Sequence, residues 1–232
     1  MEINGAVAVV TGANRGIGLA FTRALLARGA AKVYAGVRSP ESVREPGVRA
    51  LPLDVTDEGQ VAAAAATASD ATLVINNAGI QAGPGLLVGS LEGARRELEV
   101  NYLGTWAVSR AFAPVLAANG GGALVNMLSV ASWRVNRPWP SYAASKAAEW
   151  SLTNALRVGL RPQGTLVVGV HVGFVDTDAT ADLDVPKVTS TEVAEKALDA
   201  VGRGESEVLV DEISRRMRAA LSGPVELLEP TL

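Results

Sequence analysis

Cysteine is absent from the 232-residue chain, which excludes disulfides, thiolate metal sites and cysteine nucleophiles together. His171 is the one histidine, so a metal site built on several imidazoles is excluded as well. Charge of one sign is also lacking. The formal net charge is −3, both signs are scattered, and no basic block offers itself to phosphodiesters or an anionic bilayer. Neither nucleic acid nor a membrane is expected as a partner. The longest apolar stretch, around Thr165–Val175, is too short to span a bilayer. The opening Met-Glu-Ile-Asn-Gly lacks the basic patch and apolar run of a signal peptide, and a cytoplasmic location is the expectation.

What is present is an ordinary globular composition rich in Ala, Val, Leu and Gly, enough for a sizeable core. Short β-branched runs alternate with longer stretches of helical period. Strands are predicted at Ala6–Val10, Lys32–Gly36, Arg49–Leu51, Thr72–Asn76, Ala123–Leu128, Leu166–Val172 and Glu207–Val210. They are nearly continuous apolar runs, as strands covered on both faces are. Helices are predicted near Gly16–Arg28, Asp57–Ala68, Leu91–Ala118, Ser141–Leu160, Thr191–Val201 and Ser214–Leu221, the third bent or broken near Asn101. This alternation predicts an α/β fold: a doubly wound parallel sheet with helices on both faces. No linker or repeat divides the chain, so one domain is expected.

After the first strand runs Thr11-Gly12-Ala13-Asn14-Arg15-Gly16-Ile17-Gly18. Glycines permit a tight turn, let bare backbone approach a pyrophosphate, and pack the following helix close to the sheet. The helix start adds unpaired N–H groups and partial positive charge. A ligand-free strand–helix turn is the plainer alternative, but placement directly after a buried strand favours phosphate binding.

The residue past the second strand sits beside the adenosine ribose in such folds. Here it is Val37-Arg38-Ser39, with no acid to bond a 2′-hydroxyl. Arg15 and Arg38 could converge on a 2′-phosphate, each charge-assisted bond contributing about 1.5–3 kcal/mol, which points to NADP(H). Asp54, followed by Val55, is placed for the adenine, although it could also serve the next helix start, where Thr56 and Asp57 are better placed. Asn76-Asn77-Ala78-Gly79 ends the fourth strand, where the sheet reverses its order. It reads as partly structural and partly cofactor-binding.

With these motifs the chain resembles the short-chain dehydrogenase/reductase family along almost its whole length. The resemblance rests on Thr11–Gly18, Asp54-Val55, Asn76–Gly79, Asn101, Ser129, Tyr142-x-x-x-Lys146 and Gly173-Phe174-Val175-x-Thr177. It implies a single Rossmann-like domain over 1–232, with a cofactor half about 1–125 and a catalytic and substrate half about 126–232. It also implies a seven-stranded parallel sheet of order 3-2-1-4-5-6-7, and a Ser129, Tyr142, Lys146 and Asn101 catalytic set. Cofactor contacts are implied for Gly12, Asn14, Arg15, Gly16, Ile17, Gly18, Arg38, Ser39, Asp54, Val55, Asn77, Ala78, Gly79, Tyr142, Lys146, Gly173, Val175 and Thr177. Thr177 is assigned to the carboxamide or pyrophosphate, and Asn101 to a water that leads protons from the lysine. The sequence departs from the family at Val172, where Pro is usual.

The catalytic residues also make chemical sense by themselves. Tyr142 and Lys146 are four apart in a helical stretch and share one face. A free phenol titrates near pH 10, so it needs a neighbouring cation to shuttle protons at neutral pH. A charge about 4 Å away at an effective dielectric near 20 is worth roughly 4 kcal/mol, about three pKa units. Ser129 would hold the substrate oxygen. His171 reads as a strand-end residue bonded to backbone.

Gln81, Ser129, Trp133, Asn136, Trp139 and Phe174 are the candidate substrate contacts. The short acidic segment from Val175 to Ser190 predicts an open site with broad substrate acceptance. Apolar faces carrying Trp106, Phe112 and Trp150 suggest a homodimer or homotetramer. The expected function is an NADP(H)-dependent carbonyl reductase or alcohol dehydrogenase acting on a small-molecule carbonyl or alcohol. The alternatives are a reductase of C=N or C=C bonds on the same scaffold, and a catalytically silent dinucleotide sensor, which would need none of the proton machinery.

Overall fold

The computed structural model describes residues 1–83, 85–134 and 138–228. Strands β1 (Val7–Thr11), β2 (Lys32–Val37), β3 (Arg49–Pro52), β4 (Leu73–Asn76), β5 (Ala123–Met127) and β6 (Leu166–His171) follow the predicted runs closely. Two short strands, β7 (Val175–Asp176) and β8 (Val188–Thr189), pair with each other, and β9 (Glu207–Leu209) returns to the main sheet. That sheet has seven strands in the order β3-β2-β1-β4-β5-β6-β9, and every neighbouring pair is parallel. It is the single doubly wound sheet expected, its seventh strand being β9 because a two-stranded ribbon intervenes.

Both faces are apolar, with side chains alternating between two clusters. Ala8 and Val10 of β1, Leu73 and Ile75 of β4, and Val168 and Val170 of β6 face one layer with Phe21 and Leu25. Val9, Val74 and Val167 face the other, with Val108, Phe112 and Leu116. The first layer is α1 (Gly16–Ala27) with α6 (Ser190–Arg203), and the second is α2 (Glu58–Thr67) with α4 (Thr105–Ala118). Fully burying each Val, Leu or Phe contributes about 1.5–3 kcal/mol.

The long stretch near Asn101 divides into three parts. Helix α3 (Glu92–Glu97) leads into a π-helical segment, Leu98–Gly104, and then α4 (Thr105–Ala118). The wider ring displaces the helix locally, and such bulges recur at functional sites. Helix α5 (Pro140–Gly159) begins on a proline at its first position, where the missing N–H costs nothing. Helices α6 (Ser190–Arg203) and α7 (Glu212–Ala220) complete the chain, their first turns capped by Thr189 and Asp211. The order reverses between β1 and β4, and the crevice opens at their carboxyl ends.

Candidate active site

Gly12 and Gly16 take left-handed backbone at φ +65° and +51°. A Cβ on Gly18 would lie 2.1 Å from the Gly12 carbonyl oxygen and 2.6 Å from Asn77 Nδ2. Only bare backbone can therefore bring the start of α1 this close to the sheet. Arg15 occupies the cap position of α1 without a side-chain cap bond, which leaves the first N–H groups open to an anion. The turn is locked from β4. Asn77 Nδ2 donates to the Thr11 carbonyl at 2.9 Å and to that of Gly12 at 3.3 Å, and Thr11 Oγ1 accepts from the Asn77 and Ala78 amides at 2.9 Å each. Asn76 ties β4 to β5 through Asn126 Oδ1 at 2.9 Å. Both asparagines have the structural role expected of them.

A cleft of about 460 Å³ runs along this edge. It gathers Gly12, Asn14, Arg15, Gly16, Ile17, Arg38, Ser39, Asp54, Val55, Asn77, Ala78, Gly79 and Thr177. Gly18, Tyr142, Lys146, Gly173 and Val175, also predicted to contact the cofactor, are not among its lining residues; Gly18 packs beneath the turn. The cleft also includes Ser42, Ile80, Val100 and Asp178, which the sequence reading missed. Ser42 accepts from Asn14 Nδ2 at 3.1 Å and donates to the Ser39 carbonyl at 2.6 Å, fixing the loop that carries Arg38. Asp178 faces Arg15 at 3.7 Å, both side chains largely exposed. Thr177 lies on the glycine turn, its Cγ2 3.5 Å from where a Gly16 Cβ would stand. Asp54 Oδ1 accepts from the Thr56 amide and hydroxyl, whereas Asp57 caps α2.

None of the four catalytic candidates is among the lining residues; Asn101 Oδ1 and Lys146 Nζ come near the wall, 3.3 and 3.8 Å from where a Gly79 Cβ would stand. Ser129 follows β5 and is buried, its Oγ accepting from the Ala131 amide at 3.1 Å. Tyr142 and Lys146 lie one turn apart on α5. Lys146 is buried, and its Nζ donates to the Met127 carbonyl at 2.8 Å and to Glu149 Oε2 at 2.6 Å. Burial works against the Lys146 charge, but the Glu149 carboxylate and then the Tyr142 phenol outweigh it and hold its pKa above the usual value. Asn101 is fully buried within the π-helical segment. Its Oδ1 accepts from the Ile80 amide at 2.8 Å, and its Nδ2 donates to the Ile80 carbonyl and to Ser145 Oγ, each at 2.9 Å. It thus joins the cleft loop to α5, at the helix distortion expected near this position.

His171 is buried against Trp133, the rings stacked with centroids 3.8 Å apart. Its Nδ1 is 3.4 Å from the Ser129 carbonyl. A carbonyl can only accept, so the proton is on Nδ1. Desolvation, despite that bond, pulls the His171 pKa down to about 3, and it is neutral at working pH. Trp133, a candidate substrate contact, is 7% exposed and also meets Trp150 edge-on. The ring backs the Ser129 segment because His171 offers it a flat partner. Trp139 and Phe174 remain half-exposed and pair at 6.3 Å, and Gln81 is exposed on the facing loop. Asn136 lies outside the described residues. The Gly173 amide donates to Asp211 Oδ2 at 2.7 Å, an anchor the sequence did not reveal because the partner is 38 residues away.

No helix among the described residues is long and apolar enough to cross a membrane. The family model for short chain dehydrogenases matches residues 6–187. A crystal structure of a short chain dehydrogenase from Burkholderia cenocepacia J2315 in complex with NADP superimposes with a TM-score of 0.93 at 40% identity, covering 99% of this chain and 100% of that one. Galactitol 2-dehydrogenase (L-tagatose-forming) from Cereibacter sphaeroides is 35% identical over 190 residues, 77% of this chain and 75% of its own. The 1-deoxy-11-beta-hydroxypentalenate dehydrogenase of Streptomyces exfoliatus is 35% identical over 217 residues, 87% of this chain and 79% of its own. With its sheet order, glycine turn and matched residues, the chain belongs to the short chain dehydrogenase family of oxidoreductases.

Proposed function

We propose that the protein is an NADP(H)-dependent carbonyl reductase or alcohol dehydrogenase, interconverting a ketone or aldehyde with its alcohol, with Tyr142 as proton donor or acceptor. The observation that carries this reading is the buried Lys146 ammonium beside Gly79 at the cleft wall, with Tyr142 one turn before it on α5. The residues present fit a dinucleotide: the Gly18 approach leaves a backbone cradle, and the start of α1 leaves N–H groups unpaired. Arg15 and Arg38 in the cleft, with no acid after β2, favour a 2′-phosphate.

When bound, NADP(H) supplies or accepts the hydride. The chain then has three tasks. Ser129 holds the substrate oxygen at the carboxyl end of β5. Tyr142 passes a proton to that oxygen in reduction and removes it in oxidation. Lys146 steadies the phenolate form and offers an N–H toward the nicotinamide ribose. The Trp139–Phe174 pair and Gln81 form the substrate wall, which favours an apolar or aromatic group beside the carbonyl. The two dehydrogenases similar to this chain, one of them forming a ketose, support the same class of alcohol–carbonyl chemistry. Exposed Leu98, Leu103 and Trp106 on the π-helical segment and α4 support a homodimer or homotetramer.

A panel of ketones, aldehydes, activated alkenes and imines, followed by loss of NADPH absorbance, tests the reading. Turnover of carbonyls is the expected result. Dinucleotide binding with no turnover anywhere in the panel would overturn it in favour of a sensor.

A further inference from the structure

Glu149 lies one turn beyond Lys146 and is 1% exposed. Its two carboxylate oxygens are both engaged: Oε2 accepts from Lys146 Nζ at 2.6 Å, and Oε1 from Thr105 Oγ1 at 3.2 Å. The Thr105 carbonyl accepts from Ser109 Oγ at 2.7 Å, Ser109 Oγ accepts from Asn76 at 3.1 Å, and Thr153 Oγ1 donates to the Glu149 carbonyl at 2.8 Å. The acid is therefore wired into β4, α4 and α5 rather than left to find its own place.

Stability alone is a poor reason for this pair. A buried ion pair is commonly no better than two apolar side chains of the same volume, because both charges must be stripped of water. An acid buried this deeply is retained where its partner must stay charged. Lys146 is such a partner. Nζ is 3.8 Å from where a Gly79 Cβ would stand, so it borders the cleft wall. Two of its three protons go to Met127 and Glu149. Among the described residues no third acceptor meets it, and that proton is free for a ligand in the cleft.

We propose that Glu149 is a positioning residue for the active site: its carboxylate holds Lys146 at the cleft wall as an ammonium and directs the remaining N–H toward the dinucleotide ribose and Tyr142. This rests on the dinucleotide reading above. A buried lysine without a counter-ion sheds its proton near neutral pH. Burial is the largest influence on both partners, opposing the Lys146 charge and raising the Glu149 pKa, and each partner is the largest influence restoring the other's charge. The groups facing the pair are Tyr142 on α5, neutral Asn101 and Thr105, Glu97 on α3, whose Oε1 accepts from the Ala82 and Gly83 amides and whose buried Oε2 has no partner among the described residues, and His171 on β6. His171 stays neutral above its pKa of about 3, so it adds no charge in the range tested.

The test is NADPH binding by fluorescence titration at about pH 6 and about pH 9, with each variant's Kd divided by that of the parent at the same pH. Lys146→Met, which lacks the ammonium, is expected to bind about tenfold more weakly at both values. Glu149→Gln keeps an acceptor and removes the charge. It is expected to match the parent within about twofold at the lower pH and to fall to the Lys146→Met affinity at the higher one. Glu149→Gln binding like the parent at both values would overturn the proposal. So would a loss by the same factor at both, the mark of a packing defect. A second measurement needs no Glu149 variant: the ratio between Lys146→Met and the parent should stay constant across the range. A ratio falling toward one at the higher pH means that Lys146 discharges despite Glu149, and refutes the idea. A parent that binds no NADPH at either pH overturns the dinucleotide reading and this proposal together, whereas the other outcomes bear on Glu149 alone.

Discussion

Asp211 joins the Gly173 amide to the start of α7, one carboxylate oxygen accepting from Gly173 at 2.7 Å and the other from the Ser214 amide at 2.9 Å. A Cβ on Gly173 would approach Asp211 Oδ2 to 2.9 Å and Ile213 Cγ2 to 2.6 Å, so the glycine allows the acid to come this near. The family's usual proline is absent at Val172, and a side-chain anchor from a distant helix steadies the following residue instead. Asp211→Ala removes a helix cap and a partly buried hydrogen bond, a cost of about 1–3 kcal/mol. Thermal denaturation should show a Tm lower by several degrees for a chain of this size. An unchanged Tm would mean that the anchor is idle.

Arg38 should discriminate between dinucleotides. Arg38→Asp is expected to weaken NADPH binding by about tenfold or more while sparing NADH, because the charge that would meet a 2′-phosphate is reversed. Titrating both cofactors against both proteins checks this. Equal losses would count against the assignment.

Arg15 already has an anion beside it. Asp178, 3.7 Å away, would compete with a phosphate for the same guanidinium. The pair is largely solvated, so the effect is small. Asp178→Asn should tighten NADPH about twofold at low salt, and the gain should vanish as ionic strength rises.

Tyr142→Phe keeps the ring and removes the proton. Turnover should drop by about 10²–10⁴-fold, the usual contribution of a positioned acid or base. The Kd for NADPH, measured in the same preparation, should change little. Parental turnover in this variant would sink the mechanism.

His171 makes the fold acid-sensitive. Its pKa falls from an unfolded value of 6.5 to about 3 in the folded protein, so the folded state disfavours the proton. Stability from this group is therefore complete above pH 6.5 and is lost as pH falls toward 3. By about pH 4.5 the loss amounts to roughly 2–3 kcal/mol. His171→Phe retains a ring against Trp133 and cannot titrate. Its Tm should fall less steeply than the parent's between those pH values, whatever its absolute stability.

The seven strands and the glycine turn were legible because local patterns encode them. A strand covered on both faces must be apolar at every position, and a backbone that approaches an anion must be free of Cβ atoms. The four-residue spacing of Tyr142 and Lys146 fits an ordinary helix face as well, and it became a catalytic candidate only beside Ser129 and the glycine turn. The burial of Trp133 was not legible, for a different reason. Whether an aromatic ring lines a pocket or fills a core depends on what lies beside it, and its stacking partner, His171, is 38 positions along the chain.

The amino-acid order by itself settled the layering, the sheet order through its resemblance, and the residue types of the proposed proton machinery, since these follow from periodicity and from motifs within a few residues. Tertiary structure alone decided the charge environment of that machinery. Burial, the Glu149 carboxylate wired to Thr105, and the Asp211 anchor on Gly173 depend on distances between segments remote in sequence. Electrostatic energies vary steeply with those distances and with exclusion of water, and neither quantity is written in any local pattern.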